Sequence, residues 1–435
     1  MKYTTTQELY SIFKEKKEIS TDTRSIKKES LFFALKGANF NGNTFALTAI
    51  QQGASYAIVD DEKLADNKNC LLVPDALTAL QDLAKYHRQQ LTIPIIAITG
   101  SNGKTTTKEL IREVLATQFS VYATIGNLNN HIGVPLTLLS INETHQMAVV
   151  EMGANHQKEI EFLCNIALPD YGLITNIGKA HLEGFGGIEG VIKGKTEMYT
   201  YIRENNKKLF VNEDDQLLMD LSKNCTRTTY GISPLATTQG ALVVSEPFVA
   251  FVFEDINKNK QTVSSNLVGV YNLPNLLAAC AIGNYFSVSG ENIKKAIEKF
   301  TPTNSRSQQI IKGSNTIILD AYNANPTSMI AAIINFANID AENKIVILGD
   351  MLELGDSSLK EHQHIVNILK QNQLTDTVLV GPFFNDIENI INAKLFKTSA
   401  EACEFLKKMN VKNSTVLIKG SRGTKMEEVL NAFAD

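Results

Sequence analysis

The sequence predicts an α/β protein of three consecutive units, and three observations carry that expectation. Short apolar β-branched runs alternate with amphipathic helical stretches along the chain, the pattern of helices packed on largely parallel sheets. One run, Ile95-Ile96-Ala97-Ile98, opens into Thr99-Gly100-Ser101-Asn102-Gly103-Lys104-Thr105-Thr106, a strand, a glycine loop and a helix start. The length of 435 residues accommodates two to four domains at about 100–200 residues each.

Composition narrows the class. Hydrophobic content of 43% and charged content of 20% are those of an ordinary globular chain. A net charge of −4 gives no footprint of a nucleic-acid binder. No apolar run approaches the roughly 20 residues that span a bilayer, and Met1-Lys2-Tyr3-Thr4-Thr5-Thr6 lacks the apolar core of a signal peptide. The five cysteines (Cys70, Cys164, Cys225, Cys280, Cys403) are odd in number and scattered, with no Cys-x-x-Cys. They read as reduced thiols of a cytoplasmic protein, with neither disulfides nor a zinc site.

The first unit runs over residues 1–90. Ser30 to Leu35, Tyr56 to Val59 and Leu71 to Val73 read as strands, and Phe45 to Gln52 as a helix stopped by Gly53. Asp22-Thr23-Arg24, beside the first strand, is a turn or a polar site. Leu77 to Gln90 is an amphipathic helix closed by Leu91-Thr92-Ile93-Pro94, since the residue before proline is disfavoured in a helix.

The second unit, 91–303, holds the glycine loop. Backbone N–H groups at a strand–loop–helix turn converge on one spot, and the helix dipole adds positive potential there. Lys104 supplies a full charge for phosphates, and the Thr105 hydroxyl can ligate Mg²⁺. The general phosphate-loop pattern places a glycine six residues before the lysine; Ile98 stands there instead. Next comes Gly126-Asn127-Leu128-Asn129-Asn130-His131-Ile132-Gly133, dense in amides, which reads as a ligand-presenting loop or a polar turn. Met147 to Glu151 is an apolar strand ending in a carboxylate. Strand carboxyl ends line the crevice of a parallel sheet, so Glu151 is a metal-ligand candidate beside the loop, the alternative being a solvated strand end. Tyr171 to Ile177 is a further strand leading to His181, and Ile188 to Glu204 a helix bearing Lys193 and Lys195; residue physics alone gives Lys195 no special role. Residues 240–268 suggest a small β insertion. A helix then starts near Pro274, with Asn272 a candidate cap.

The third unit, 304–435, repeats strand and helix: Asn315 to Asp320, Ser328 to Ala337, Lys344 to Leu348, Ser357 to Gln371, Thr377 to Val380, Ala400 to Met409 and Thr415 to Ile418. That alternation predicts a Rossmann-like doubly wound sheet. No strand here opens into the Gly-x-Gly-x-x-Gly of a dinucleotide site.

Several motifs taken together resemble the Mur ligase family of ATP-dependent amide ligases: the short loop Thr99 to Thr106, Thr21-Asp22-Thr23-Arg24, Gly126 to Leu139, Val149 to Ala154, Asn176 to Gly184, Tyr322-Asn323-Ala324-Asn325-Pro326, Leu348 to Gly355 and Lys419 to Glu427. Within the family, the Tyr322 and Leu348 runs are similar to those of the member that adds D-alanyl-D-alanine to a UDP-N-acetylmuramoyl-tripeptide. The resemblance implies a monomeric cytoplasmic enzyme of peptidoglycan precursor synthesis, with a UDP-binding first domain, an ATP-binding central domain and a third domain for the dipeptide. It also implies that ATP first phosphorylates the tripeptide carboxylate and that the dipeptide amine then displaces phosphate. The implied phosphate and nucleotide contacts are Gly100, Ser101, Asn102, Gly103, Lys104, Thr105, Thr106, Asn275, Arg306 and Asp320. Two Mg²⁺ are implied on Thr105, Glu151, His181 and Lys195, with Lys195 carrying a carbamate. Asp22, Thr23 and Arg24 align with the UDP segment, and Asn129 and Asn130 with the UDP-sugar segment. Asn323, Asn325, Ser421 and Arg422 are third-domain candidates. The alternatives are the ligase adding the third amino acid, whose Asn-Pro-Arg run is not found here, and a folate polyglutamate ligase, which would lack Asp22-Thr23-Arg24. A P-loop switch would carry a guanine-reading Asn-Lys-x-Asp, which is not found either.

Overall fold

The computed structural model describes residues 2–302, 305–387 and 393–433. Its strands fall into three main sheets that follow the three units in order. The first sheet is four-stranded and parallel, ordered Ile19–Ser20, Leu31–Phe33, Tyr56–Val59, Cys70–Leu72. The second has nine strands. Ile95–Thr99 lies between Met147–Glu151 and Tyr171–Ile174, with Val121–Ala123 beyond Met147–Glu151 at one edge. On the other side follow Lys208–Asn212, Thr226–Gly231 and Thr238–Val244, all parallel, and then the antiparallel pair Phe248–Glu254 and Lys260–Val268. Residues 240–268 therefore extend the central sheet and are not a separate insertion. The third sheet has six strands. Gln308–Lys312 is antiparallel at one edge, and Asn315–Asp320, Thr415–Lys419, Lys344–Gly349, Thr377–Val380 and Lys394–Phe396 are parallel.

The central strand Ile95–Thr99 is buried along its length, with parallel neighbours on both sides. A glycine at position 98 would weaken that strand, whereas Ile98 is fully buried in it. The turn therefore begins only at Gly100, at the strand's carboxyl end.

The boundary near residue 90 cuts through a packed interface. The helix Ala76–Gln90 lies against Gly133–Leu139 and Glu159–Ala167 of the central unit. Buried Arg88 donates to the carbonyl oxygens of Ala167 (3.0 Å) and Leu168 (3.0 Å) and pairs with Asp170 at 2.8 Å. His87 Nε2 lies 2.8 Å from the Ile141 carbonyl oxygen. A buried guanidinium is tolerated where each N–H finds an acceptor, and this one fastens the first unit to the second. The 303/304 boundary lies outside the described residues.

Asn272 departs from expectation. It precedes the helix Leu273–Tyr285, whose Pro274 sits in the first turn, but its side chain accepts no backbone N–H there. Instead it donates to the Val268 carbonyl oxygen and accepts from the Asn275 amide at 2.9 Å, which fixes Asn275. No helix among the described residues is long and apolar enough to cross a membrane.

Candidate active site

The carboxyl ends of the central strands, with facing elements of the third unit, enclose a cleft of about 580 Å³. The glycine loop is its floor. Gly100 has φ +140°, and a Cβ there would stand 2.0 Å from Thr175 Oγ1; Gly103 has φ +78°, and its Cβ would meet Asn275 Oδ1 at 2.8 Å. Both turns need glycine on conformation and on space. The segment after Tyr171–Ile174 clamps the loop: Ser101 N–H donates to the Asn176 carbonyl oxygen (2.9 Å), Asn102 N–H to Asn176 Oδ1 (3.0 Å), and Thr175 Oγ1 to the Asn102 carbonyl oxygen (2.6 Å). Asn176 was not singled out from sequence, though a polar residue just after a central strand is a signal for it.

Lys104 opens the helix Lys104–Ala116. Its ammonium folds back to the carbonyl oxygens of Gly100 (2.7 Å) and Ser101 (3.2 Å). Burial holds its pKa below the usual lysine range; the Glu151 charge opposes that shift and Arg306 adds to it. Strand register sets Glu151 opposite Ile98, beside the loop. One carboxylate oxygen accepts from Thr105 Oγ1 at 2.8 Å and the other from Asn129 Nδ2 at 2.7 Å. Glu151 is buried and so is more than a solvated strand end. Asn130 Oδ1 accepts the Ile132 and Gly133 N–H groups and shapes the amide-rich turn. Thr106, Asn129, Asn130, Asn275 and His181 all line the cleft.

Mg²⁺ takes oxygen ligands, commonly one or two carboxylates with waters and substrate phosphates completing an octahedron. The Thr105 hydroxyl and Glu151 carboxylate, already within hydrogen-bond distance of each other, fit one such ion. Among the described residues no three His, Cys, Asp or Glu groups converge, so the remaining ligands would come from nucleotide and water.

Lys195 is 1% exposed. Its Nζ donates to the Ala154 carbonyl oxygen at 3.2 Å and stands 5.2 Å from the Phe185 ring centre. Burial first, and the Lys104 charge second, lower its pKa to about 7. Lys193 is exposed. His181 Nδ1 lies 2.5 Å from Glu353 Oε2 of the third unit.

The third unit supplies the opposite wall. The Arg306 guanidinium stacks over Tyr322 at 3.5 Å. Asp320 accepts the Ser307 N–H and pairs at 2.5 Å with Lys419. Lys419 is a buried cation that went unassigned from sequence. Its place at the carboxyl end of Thr415–Lys419, beside the Asp320 strand, is the available signal. Asn323 Oδ1 turns back to the Ala324 N–H at 2.9 Å.

Asn325 is occupied otherwise than as a free dipeptide contact. Its Oδ1 caps the helix Pro326–Asn338 by accepting the Ser328 N–H, and its Nδ2 donates to Asn102 Oδ1 at 2.7 Å. Ser421 is buried, donating to the Ala324 carbonyl oxygen and accepting from Leu352 N–H, while Arg422 is exposed with its guanidinium 5.6 Å from the Tyr322 ring centre. Asp22, Thr23 and Arg24 form a 3₁₀ turn in which the Arg24 side chain pairs with Asp22 at 2.6 Å. That turn is not among the residues lining the cleft.

Because Asn325 bonds Asn102 of the glycine loop, Asn325→Ala is expected, on the activity the resemblance implies, to raise the KM for ATP together with that for the dipeptide. Loss of the cap should also cost about 1 kcal/mol of stability. Steady-state kinetics with each substrate varied check this; a rise confined to the dipeptide would assign the side chain to the dipeptide alone.

Three family models match in order: "Mur ligase family, catalytic domain" over residues 16–88, "Mur ligase middle domain" over 98–283 and "Mur ligase, glutamate ligase domain" over 306–422. The UDP-N-acetylmuramoyl-tripeptide–D-alanyl-D-alanine ligase of Bacillus subtilis is 35% identical over 95% of this chain and 92% of its own. Among solved structures, a MurF crystal structure from Acinetobacter baumannii has a TM-score of 0.86 at 34% identity, covering 95% of this chain and 92% of that one. A Thermotoga maritima MurF ligase in complex with ADP has a TM-score of 0.84 at 26% identity, covering 96% and 97%. A glycine loop clamped at a sheet's carboxyl end, a third unit facing it, and these similarities along nearly the whole length lead to one conclusion: the chain belongs to the Mur ligase family.

Proposed function

We propose that this chain is an ATP-dependent, ADP-forming ligase that adds D-alanyl-D-alanine to UDP-N-acetylmuramoyl-tripeptide. It would act as a monomer in the cytoplasm, in the precursor synthesis that supports cell-wall growth, cell shape and division. The observation that carries the reading is the cleft itself. Phosphate-loop Lys104, with Thr105 and Glu151, faces Arg306, Asp320 and Lys419 of the third unit across one cavity, in a chain similar to such ligases along 95% of its length.

The chemistry follows from charge. A carboxylate attacking a γ-phosphate brings anions together, so positioning and cationic stabilisation matter more than proton transfer. Lys104 and the N–H groups at the start of its helix would hold the phosphates, since the Ser101 and Asn102 N–H groups are taken by Asn176. The tripeptide carboxylate oxygen attacks the γ-phosphorus as the bond to the ADP oxygen breaks, giving an acyl phosphate. The dipeptide amine then attacks the acyl carbon, phosphate leaves, and the amine proton passes to solvent. Mg²⁺ bound at Thr105 and Glu151, with His181 and a carbamylated Lys195 serving a second ion, would offset the phosphate charge. Residues 1–90, with Asp22, Thr23 and Arg24, would take the UDP moiety. Residues 91–303 would take ATP, with Asn129 and Asn130 on the UDP-linked sugar. Residues 304–435, with Asn323, Ser421 and Arg422, would take the dipeptide.

The test is phosphate release from purified protein given ATP, UDP-tripeptide and D-Ala-D-Ala, each omitted in turn. Full turnover should require all three. Release that persists without the dipeptide, or that prefers a free amino acid in its place, would overturn the assignment.

A further inference from the structure

One buried imidazole has no part in the mechanism above. His362 lies in the helix Ser358–Gln371 of the third unit, fully buried, with its ring centre 4.6 Å from that of Phe384. The Met351 N–H donates to His362 Nε2 at 3.0 Å, and Nδ1 stands 2.7 Å from the Ser358 carbonyl oxygen. A backbone N–H can only donate and a carbonyl oxygen only accept. Nε2 therefore presents its lone pair, and Nδ1 carries the proton. Burial pushes the pKa of this ring below the usual histidine value, while the bond to Ser358 and the charges of Asp350 and Glu361 oppose that shift. Asp350 is the near carboxylate, with Oδ1 3.5 Å from Nε2. Its oxygens are engaged elsewhere, accepting the Phe383 and Phe384 N–H groups at 2.9 and 3.0 Å.

What the imidazole holds is a turn. Asp350 to Leu352 follow the strand Lys344–Gly349, and Gly420 to Arg422 follow its parallel neighbour Thr415–Lys419. The two strand-end segments bind each other in both directions. The Ser421 N–H donates to the Asp350 carbonyl oxygen at 3.1 Å, and the Leu352 N–H donates to Ser421 Oγ at 2.9 Å. Met351 stands between those two bonds, and its own N–H goes to His362. Lys419, just before the second segment, lines the cleft. The imidazole thus fixes the middle of a turn whose two ends grip Ser421.

Resting on the ligase reading above, we propose that His362 is a positioning residue for the dipeptide: by accepting the Met351 N–H it fixes the 350–352 turn, and through that turn the Ser421 and Arg422 segment. It touches no substrate. A buried N–H left without a partner is costly, so without an acceptor at position 362 the turn shifts to satisfy Met351, and Ser421 shifts with it. The glycine loop belongs to another unit and has its own clamp at Asn176. The effect therefore falls on the dipeptide and spares ATP.

The experiment uses the full chain. Histidine ¹⁵N labelling and two-bond ¹H–¹⁵N spectra read the seven imidazoles, and His362→Gln identifies the signal. His362 should be neutral at assay pH with its proton on Nδ1; a proton on Nε2 would overturn the proposal without any variant kinetics. His362→Leu keeps an apolar side chain beside Phe384 and offers Met351 no acceptor. It should raise the dipeptide KM about tenfold, with the ATP KM within about twofold of wild type. His362→Gln, whose amide oxygen can accept the same N–H, should recover most of that loss. Ser421→Ala, which removes the acceptor of the Leu352 N–H, should show the same split. The double variant should fall well short of the product of the two single effects, as members of one network do. Thermal unfolding is measured on each variant; if His362→Leu does not fold, Ser421→Ala and the wild-type tautomer decide. An equal rise in both KM values, or single effects that simply multiply, would overturn the proposal. A wild type whose phosphate release does not depend on the dipeptide would instead sink the ligase reading, and the Nδ1 proton would still report the hold on the turn.

Discussion

Lys104→Ala is expected to abolish ligation while leaving the protein folded. Among the described residues the ammonium makes no hydrogen bond to a side chain; its partners are the carbonyl oxygens of Gly100 and Ser101. It stands in the first turn of its helix, where alanine is the best helix former. Its charge is held against the cost of burial, so the fold loses little when the charge goes. The γ-phosphate loses a great deal, because in a site shielded from water one preorganised charge on the transferring group is worth on the order of 10²-fold or more in rate. Turnover, nucleotide affinity and thermal unfolding should be measured together. The expected result is a collapse of kcat with unfolding near the wild-type temperature. Near-normal turnover would remove Lys104 from the phosphate site, and cooperative unfolding lost at ambient temperature would make its role structural.

How much of this was legible from sequence divides along a physical line. Elements fixed by short-range pattern were readable. The loop strand, the helix Ile188–Glu204 and the strand Thr377–Val380 fall where apolar runs and periodicity place them. Glu151 was readable because a carboxylate closing an apolar strand beside a glycine loop is a local signal. Residues whose roles depend on partners far along the chain were harder. Lys419 is nearly a hundred residues from Asp320, and adjacent parallel strands bring them together. Nothing local marks a strand-end lysine as buried.

The same distance explains the other differences. Asn325 stands in the sequence reading only as a third-domain site candidate, yet it caps one helix and bonds Asn102 of another unit. Asn272 stands where a cap belongs but turns to Asn275, because Val268 and the helix start lie within its reach at once. The helix Gly133–Leu139 contains Pro135 in its first turn and is short, so periodicity over a long window does not detect it. The three strands of 238–268 read as a separate β piece, since alternation cannot tell an independent hairpin from the edge of a nine-stranded sheet.

Lys195→Ala should lose most activity, and a small added carboxylate such as acetate should restore part of it. Lys193→Ala should stay active. The two lysines are two residues apart on one helix and so face differently; Lys193 is exposed, while Lys195 is 1% exposed behind Ala154. A buried ammonium beside a triphosphate's cations is a liability, whereas a carbamate on the same arm is an anionic oxygen ligand. Its formation joins the neutral amine nitrogen to carbon dioxide and releases one proton, so the amine must first be neutral. Burial and the Lys104 charge bring the Lys195 pKa to about 7, and they do so without a metal ion, because a desolvated ammonium and a nearby like charge both disfavour the protonated form. The sign is then fixed. Above about pH 7 the amine is free to react, and below it protonation competes. Protein incubated with ¹³C-bicarbonate should show a carbamate ¹³C resonance that grows as pH rises through neutrality. It should vanish in Lys195→Ala and persist in Lys193→Ala. A resonance that follows Lys193, or full activity of Lys195→Ala in bicarbonate-free buffer, would show that the carboxylate role belongs elsewhere.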